Sequence, residues 1–286
     1  MRRYRTRVDI LRYTAFTTDP SGGNPAGVVL DAQGLDDAAM LAAAAEVGYS
    51  ETAFVLPQGE DRRLALRFFS PLAEVSFCGH ATIATAVAYA ERHGVGDLTF
   101  ETMAGTVLVH TAAASDGAVT ATLVSVPPRQ ELLPDDTLVA LLAALRWTPE
   151  DLDPDFPPLV AYGGAWHPVI AAADRSRLTR LDYAMDDLGP LMAEHGWTTV
   201  DLVWRESPTV FHARNPFPPG GVYEDPATGA AAAAFGGYLR TLGLVEAPAT
   251  VTVYQGFDMG RPSTLTIGIP AGPGGISVTG TAVALG

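Results

Sequence analysis

Two stretches concentrate the side chains able to do chemistry: Phe77-Cys78-Gly79-His80-Ala81-Thr82 and Glu224-Asp225-Pro226-Ala227-Thr228-Gly229-Ala230. Each opens a run of small residues that reads as a helix. A Gly-His pair at a helix start offers backbone N–H groups and an imidazole beside the positive end of the helix dipole. Such a start can receive a carboxylate or an enolate oxygen. The expectation is that the two helix starts face one another and hold one small anion between them. Glu51 is the third group. It begins the strand-like run Glu51-Thr52-Ala53-Phe54-Val55-Leu56, where alternation sets it with Ala53 and Val55 and puts Phe54 on the other face. A carboxylate facing an apolar cleft can take a proton from carbon and return it; the plain alternative is an exposed glutamate at a strand end.

The remaining candidates carry two readings each. Asp225 before Pro226 reads as a helix N-cap with proline at the first helical position, with substrate binding as a second role. Cys78 reads as a small buried residue rather than a nucleophile. Asn24, in a glycine-proline turn, lines the cleft or shapes the turn. Arg261 pairs with a carboxylate or sits in a solvated loop.

Composition removes most other chemistry. All 18 basic residues are arginine, which excludes a Schiff-base lysine, a P-loop lysine and a kinase-type lysine. The single cysteine excludes intrachain disulfides and any two-thiol mechanism within one chain. The six histidines show no close metal-ligand spacing. The formal charge of −14 argues against nucleic acid as a partner. The one basic cluster (Arg2, Arg3, Arg5, Arg7) reads as a solvated terminus, and Asp9 and Arg12 interrupt any export signal after it. No segment is long and apolar enough to span a bilayer, so the expectation is a cytoplasmic protein that needs no cofactor and no metal.

The elements that would position these groups form a mixed sheet with helices threaded between strands, rather than a regular βαβ series. Strands are expected near 8–16, 26–30, 50–56, 64–69, 98–102, 105–111 and 118–126, with a helix over 36–47. The second half echoes the first. Val210-Phe211-His212-Ala213-Arg214-Asn215-Pro216 parallels Arg67-Phe68-Phe69-Ser70-Pro71, and a helix over 228–242 parallels the one from His80 to His93. Strands over 251–255 and 264–269 match the pair after the first helix. A repeat of this length points to two similar lobes, linked near Asp116-Gly117. The stretch 127–158 is rich in proline and carries a short helix over 136–145.

Taken in order, Gly23-Asn24-Pro25-Ala26-Gly27-Val28, Ser50-Glu51-Thr52-Ala53-Phe54, Arg67-Phe68-Phe69-Ser70-Pro71, Cys78-Gly79-His80-Ala81-Thr82, Glu224-Asp225-Pro226-Ala227-Thr228-Gly229 and Gln255-Gly256-Phe257-Asp258-Met259-Gly260-Arg261-Pro262-Ser263 resemble the PhzF-like family. These are the phenazine-biosynthesis isomerases and their relatives. The resemblance implies an α+β, diaminopimelate-epimerase-like fold with two pseudo-symmetric lobes, each a curved mixed sheet wrapped around a central helix. The lobes would cover 1–117 and 118–275, with a C-terminal strand over 276–286 returning to the first.

The resemblance also implies the activity: a cofactor-independent isomerase that moves a proton between carbons of a small carboxylate-bearing substrate. Glu51 would be the proton shuttle in the inter-lobe cleft. His80 and Asp225 would assist or bind substrate, Gly79 and Gly229 would present amides, and Asn24, Thr228 and Ala230 would line the site. Ala230 stands where relatives often carry serine, so it keeps the amide donor and lacks the hydroxyl. Epimerases of the diaminopimelate type use a pair of thiols; Cys78 stands where one would be, and the region of Pro226 supplies no second. Two other readings are a small-anion binding protein without turnover and an amino or hydroxy acid racemase. The resemblance leaves both a monomer and a homodimer open.

Overall fold

Helices rich in alanine, glycine and threonine leave room for strands to pack close to the helix backbone. Two such helices organise the computed structural model, which describes residues 8–60, 62–114 and 117–286. The arginines at 2, 3, 5 and 7, and Asp116 of the expected link, lie outside these residues. The chain divides into two compact units. One comprises the described residues up to Pro20, Asn24–Leu123 and Gly280–Gly286; the other comprises Ser21–Gly23 and Val124–Thr279. Among the described residues, no helix is long and apolar enough to cross a membrane.

The first unit runs β1 (Leu11–Ala15), β2 (Asn24–Val29), α1 (Asp37–Val47), β3 (Thr52–Glu60), β4 (Arg63–Phe69), β5 (Glu74–Val75), α2 (Gly79–His93), β6 (Gly96–Thr102), β7 (Gly105–Ala113) and β8 (Val119–Val124). β1 and β2 are antiparallel, β2 and β3 parallel, and β3 and β4 antiparallel. β4 then pairs parallel with β6 at one end and antiparallel with the short β5 at the other. β6, β7 and β8 form an antiparallel meander. The last strand of the chain, Ser277–Ala284, pairs with both β1 and β8, so the mixed sheet closes on itself.

α2 packs on β1, β2, β3 and β7, and its residues from His80 to Ala88 are all buried. α1 lies on another face, where Met40, Ala43 and Ala44 meet Val29, Phe54 and Phe69. Phe54 and Phe69 touch edge to face at 5.5 Å. Asp36 caps α1 by accepting from the Ala39 amide at 2.8 Å, and Gly48 closes it with φ 73°. The expected first strand stops one residue early. Phe16 turns to φ 65°, and its ring occupies the space that a Cβ at Gly280 would need, only 2.3 Å away.

The second unit runs β9 (Arg129–Leu132), α3 (Asp135–Leu145), β10 (Leu159–Tyr162), β11 (Trp166–Ala171), α4 (Arg175–Thr179), α5 (Met185–His195), β12 (Asp201–Ser207), β13 (Val210–Phe217), β14 (Val222–Asp225), α6 (Gly229–Thr241), β15 (Ala249–Gln255), β16 (Ser263–Ile269) and the first three residues of β17 (Ser277–Ala284), whose remainder belongs to the first unit. Its pairings repeat those of the first unit. β10–β11 is antiparallel, β11–β12 parallel and β12–β13 antiparallel; β13 takes the short β14 antiparallel and β15 parallel; β15–β16 is antiparallel. α6 packs on β9, β10, β11 and β16 and is buried from Ala231 to Leu239. At the end of β10, a Cβ on Gly163 would sit 2.5 Å from the Ala234 amide nitrogen, so glycine lets the strand touch the helix backbone. Leu141, Leu142, Leu145, Leu178, Leu188 and Met192 of α3, α4 and α5 form a separate core with Trp197 and Leu202.

The repeat extends to an ion pair. Arg67 holds Glu74 through Nε and Nη2 at 2.6 and 2.7 Å, and Arg214 holds Glu224 through the same two nitrogens at 2.8 and 2.5 Å. The first pair has side-chain exposures of 30% and 23%, the second 9% and 4%. Beside the second pair lies a buried polar cluster. Asn215 donates to Thr199 Oγ1, the Val200 carbonyl and Asp201 Oδ1, and His167 Nδ1 meets Thr199 Oγ1 at 2.8 Å. Burial pushes the Asp201 carboxyl up to about 7, against the lowering effect of Asn215, and pushes His167 down to about 4.

Two outcomes follow from these pairs. Removing one partner of a buried ion pair strands the other charge. Glu224→Ala should therefore cost roughly 3–5 kcal/mol in urea unfolding, and the more exposed Glu74→Ala about 1 kcal/mol or less; equal losses would contradict the burial argument. Asp201 has its folded value raised, so its contribution to stability is full below the unfolded carboxylate range and lost as pH rises through about 7. His167 is lowered, so its contribution is full above its ordinary 6.5 and lost as pH falls through about 4. Asp201→Asn keeps the acceptor for Asn215 and removes only the first effect. Thermal melts from pH 4 to pH 8 should show the variant gaining on wild type up to about pH 7 and then levelling. A gap that does not change with pH would show that Asp201 is not held protonated.

Candidate active site

The start of α2 gathers the reactive side chains of the first unit. Cys78 is the N-cap in an extended conformation, φ −146° and ψ 115°, and no side chain caps the helix. Gly79 and His80 are its first two residues, so their amides belong to the donors that a helix leaves unpaired at its start. Glu51 immediately precedes β3, and its carbonyl accepts from the Gly27 amide at 3.1 Å, which ties it to the parallel β2–β3 pair. Asn24 is the first residue of β2 and is 2% exposed.

These elements bring Glu51, Cys78, His80 and Asn24 together. Glu51 Oε2 lies 3.3 Å from His80 Nε2, with side-chain exposures of 16% and 8%. Cys78 Sγ lies 3.5 Å from Glu51 Oε2 and 3.4 Å from His80 Nδ1. Asn24 Nδ2 is 3.2 Å from Nδ1, and Ser50 Oγ is 3.4 Å from Nε2. The imidazole is thus contacted at both nitrogens, with the carboxylate on the side away from Asn24. A carboxylate, an imidazole and a thiol in mutual contact beside free helix amides can exchange protons with a bound acid and stabilise negative charge on it.

The start of α6 carries the candidates of the second unit. Asp225 is the last residue of β14, opposite Asn215 in the ladder, and α6 begins at Gly229 with Thr228 as its N-cap. The expectation that Asp225 caps the helix is therefore wrong. β14 keeps Asp225 extended, and the Gln255 side chain takes over at the turn. Its Oε1 accepts from the Thr228 amide at 3.0 Å, and its Nε2 donates to the Asp225 carbonyl at 2.8 Å and to Thr228 Oγ1 at 3.0 Å. The Thr228 hydroxyl in turn donates to Asp225 Oδ2. Gly229 is buried and Ala230 half-buried. The Arg261 guanidinium donates to the carbonyls of Gly22 and Gly23 at 2.8 and 3.0 Å, so it is more than a solvated loop arginine.

Equal spacing from the ladder aligns the two starts. Three residues separate Val75 from Gly79, and three separate Asp225 from Gly229. Cys78, Gly79 and His80 thus correspond to Thr228, Gly229 and Ala230. The imidazole and the thiol have no ionisable counterpart in the second unit, whose carboxylate, Asp225, sits where the first has Val75. Ser50 and Gln255 were not singled out from sequence as site residues. Ser50 precedes Glu51 by one position, the only local hint, and Gln255 acts across 27 residues and leaves none.

Comparison with known proteins gives the family. The family model described as "Phenazine biosynthesis-like protein" matches residues 13–286. An uncharacterized isomerase of Mesorhizobium japonicum is 35% identical over 277 residues, covering 90% of this chain and 89% of that protein. The trans-2,3-dihydro-3-hydroxyanthranilate isomerase of Pseudomonas chlororaphis is 30% identical over 253 residues, covering 88% and 86%. The crystal structure of a Bacillus anthracis phenazine biosynthesis protein of the PhzF family superposes with a TM-score of 0.86 at 26% identity, covering 97% and 96%. A hydroxyproline epimerase from Agrobacterium vitis shares the fold, with a TM-score of 0.65 at 15% identity, covering 97% and 90%. On a match that spans nearly its whole length, this chain belongs to the phenazine biosynthesis-like, PhzC-PhzF family.

Proposed function

We propose that this chain moves a proton between carbons of a small carboxylate-bearing substrate, with Glu51 as the group that takes the proton and returns it. Its curated relatives are isomerases, and it is an enzyme of that class. The observation that carries the finer reading is the placement of Glu51 Oε2 3.3 Å from His80 Nε2, at a helix start with no capping side chain. Glu51 would break a C–H bond and leave the electron pair in an enolate. His80 and the amides of Gly79 would stabilise the oxyanion, and Glu51 would hand the proton to a second carbon of the same molecule. Each well-placed amide donor is worth about 3–4 kcal/mol in favourable cases.

The other proposed roles follow the same logic. Asp225, oriented by Thr228, assists at the substrate; Asn24 positions His80; Thr228 and the amides of Gly229 and Ala230 bind it. No step calls for a cofactor. We also place the fold in the diaminopimelate-epimerase superfamily, each unit a mixed sheet around its central helix. Epimerisation by two thiols is disfavoured, because Cys78 corresponds to Thr228 in the repeat and is the single cysteine. The relative that isomerises a dihydro-hydroxyanthranilate suggests cyclic, hydroxylated amino acids as the substrate class.

The test is a panel of unsaturated, hydroxylated and amino cyclic acids in heavy water, including trans-2,3-dihydro-3-hydroxyanthranilate, followed by mass spectrometry and product identification. Wild type should form an isomer of at least one acid, and Glu51→Gln should do so about 10²–10⁴-fold more slowly. An unchanged rate in Glu51→Gln would remove Glu51 from its role. No isomer from any panel member would reject the substrate class.

A further inference from the structure

The first unit holds a cavity of about 520 Å³ that proton transfer at Glu51 does not use. Tyr89, Arg92 and His93, from the last turns of α2, line it, so it lies at the end of the helix away from His80. Arg92 follows His80 by 12 positions, which sets the two about 18 Å apart along the helix axis. A volume of this size suits a small molecule.

The charges that line the cavity are sorted by wall. Leu11 of β1 faces Val28 of β2 in the antiparallel ladder. Asp9 stands two positions before Leu11 and Asp31 three after Val28, so both carboxylates extend beyond the same end of that strand pair. The cations stand on the helix side. Arg62 donates through Nη2 to the carbonyls of His93 and Gly94 at 3.1 and 3.0 Å, and its own carbonyl accepts from the Thr99 amide at 2.8 Å. These bonds hold its guanidinium against the end of α2, which also carries Arg92. Among the described residues, none of Asp9, Asp31, Arg62 and Arg92 forms an ion pair. Like charges grouped on one wall repel, and an opposite charge placed against each wall offsets that repulsion.

The rest of the lining is apolar or aromatic. Leu11, Leu30 and Leu64 contribute, and the Tyr89 ring packs on His93 at 4.3 Å. An acid alone would meet the carboxylate wall unpaired, and an amine alone would meet the arginines. A molecule with an ammonium, a carboxylate and an apolar body uses every part of the lining. We propose that this cavity binds a free α-amino acid with a large apolar side chain, its ammonium held by Asp9 and Asp31 and its carboxylate by Arg62 and Arg92. No bond is made or broken in the ligand. The proposal is separate from the reading of Glu51 and His80 and needs no assumption about the reaction there.

The test is calorimetric titration of the full-length protein with L-phenylalanine, 3-phenylpropanoate and 2-phenylethylamine. L-Phenylalanine should bind at one site, and the other two, each lacking one charge, about tenfold more weakly or worse. Asp31 and Arg92 are both exposed, so their variants should fold. Asp31→Asn and Arg92→Gln should each weaken L-phenylalanine about tenfold, while His80→Ala leaves its affinity unchanged. No binding of L-phenylalanine up to about 10 mM, or equal affinity for it and 3-phenylpropanoate, would overturn the proposal. So would a loss in His80→Ala with none in Asp31→Asn, which would move the ligand to the start of α2. Because no turnover is read, failure here is separate from failure of the proposed reaction.

Discussion

α2 and α6 pack against strands of their own units and are buried along most of their length. Neither N-cap residue, Cys78 or Thr228, caps its helix with its own side chain; at α6 the Gln255 side chain accepts from the Thr228 amide instead. Asp36 and Asp174 cap α1 and α4, while α3 and α5, like α2 and α6, have no side-chain bond from the N-cap residue. A buried donor without a partner costs free energy unless something supplies an acceptor. A helix start whose N-cap residue gives no side-chain bond keeps amide donors that an anion can use.

The two units share a succession of strands but not a division of labour. Arg67–Glu74 and Arg214–Glu224 hold equivalent ladders, so the ion pair belongs to the scaffold. The residues that differ are those at the helix starts. The first unit has Cys78 and His80 there, and the second has Thr228 and Ala230 with Asp225 behind them. The second unit also buries Asp201 and His167 within one cluster of hydrogen bonds, and their opposite linkage to protons keeps their combined effect on stability nearly level between about pH 4 and 6.5.

The parts visible in the sequence were those governed by local rules. Glycine followed by small residues marked α2 and α6, and alternating β-branched and apolar residues marked the hairpins after them. The spacing and acidic residues over 36–47 mark α1. The stretch from Leu159 to Ser207 carries no strong sequence pattern. Its strands are short, and Pro190 inside α5 hides that helix from any rule that treats proline as a breaker. The mistake at Asp225 has a related cause. An aspartate before a proline is a common helix opening, but here the ladder to Asn215 and the reach of Gln255 from β15 decide where α6 begins. Glu51, by contrast, was found through a family pattern: one glutamate at a strand start says little by itself, and its meaning comes from His80, 29 positions on and 3.3 Å away.

β17 serves both units, with Ser277 paired to Gly268 in the second, and Ala282 and Ala284 paired to Ala15 and Tyr13 in the first. The ring of the first unit therefore stays open on the ribosome until residues Gly280 to Ala284 have been made, long after β1 to β8 have emerged. During that interval β1 and β8 are exposed edges, the kind of surface that chaperones bind and that pairs wrongly with other chains. The early half of this protein is thus committed to waiting for its late half. Any shortening at the C-terminal strand would be felt first near the N-terminus.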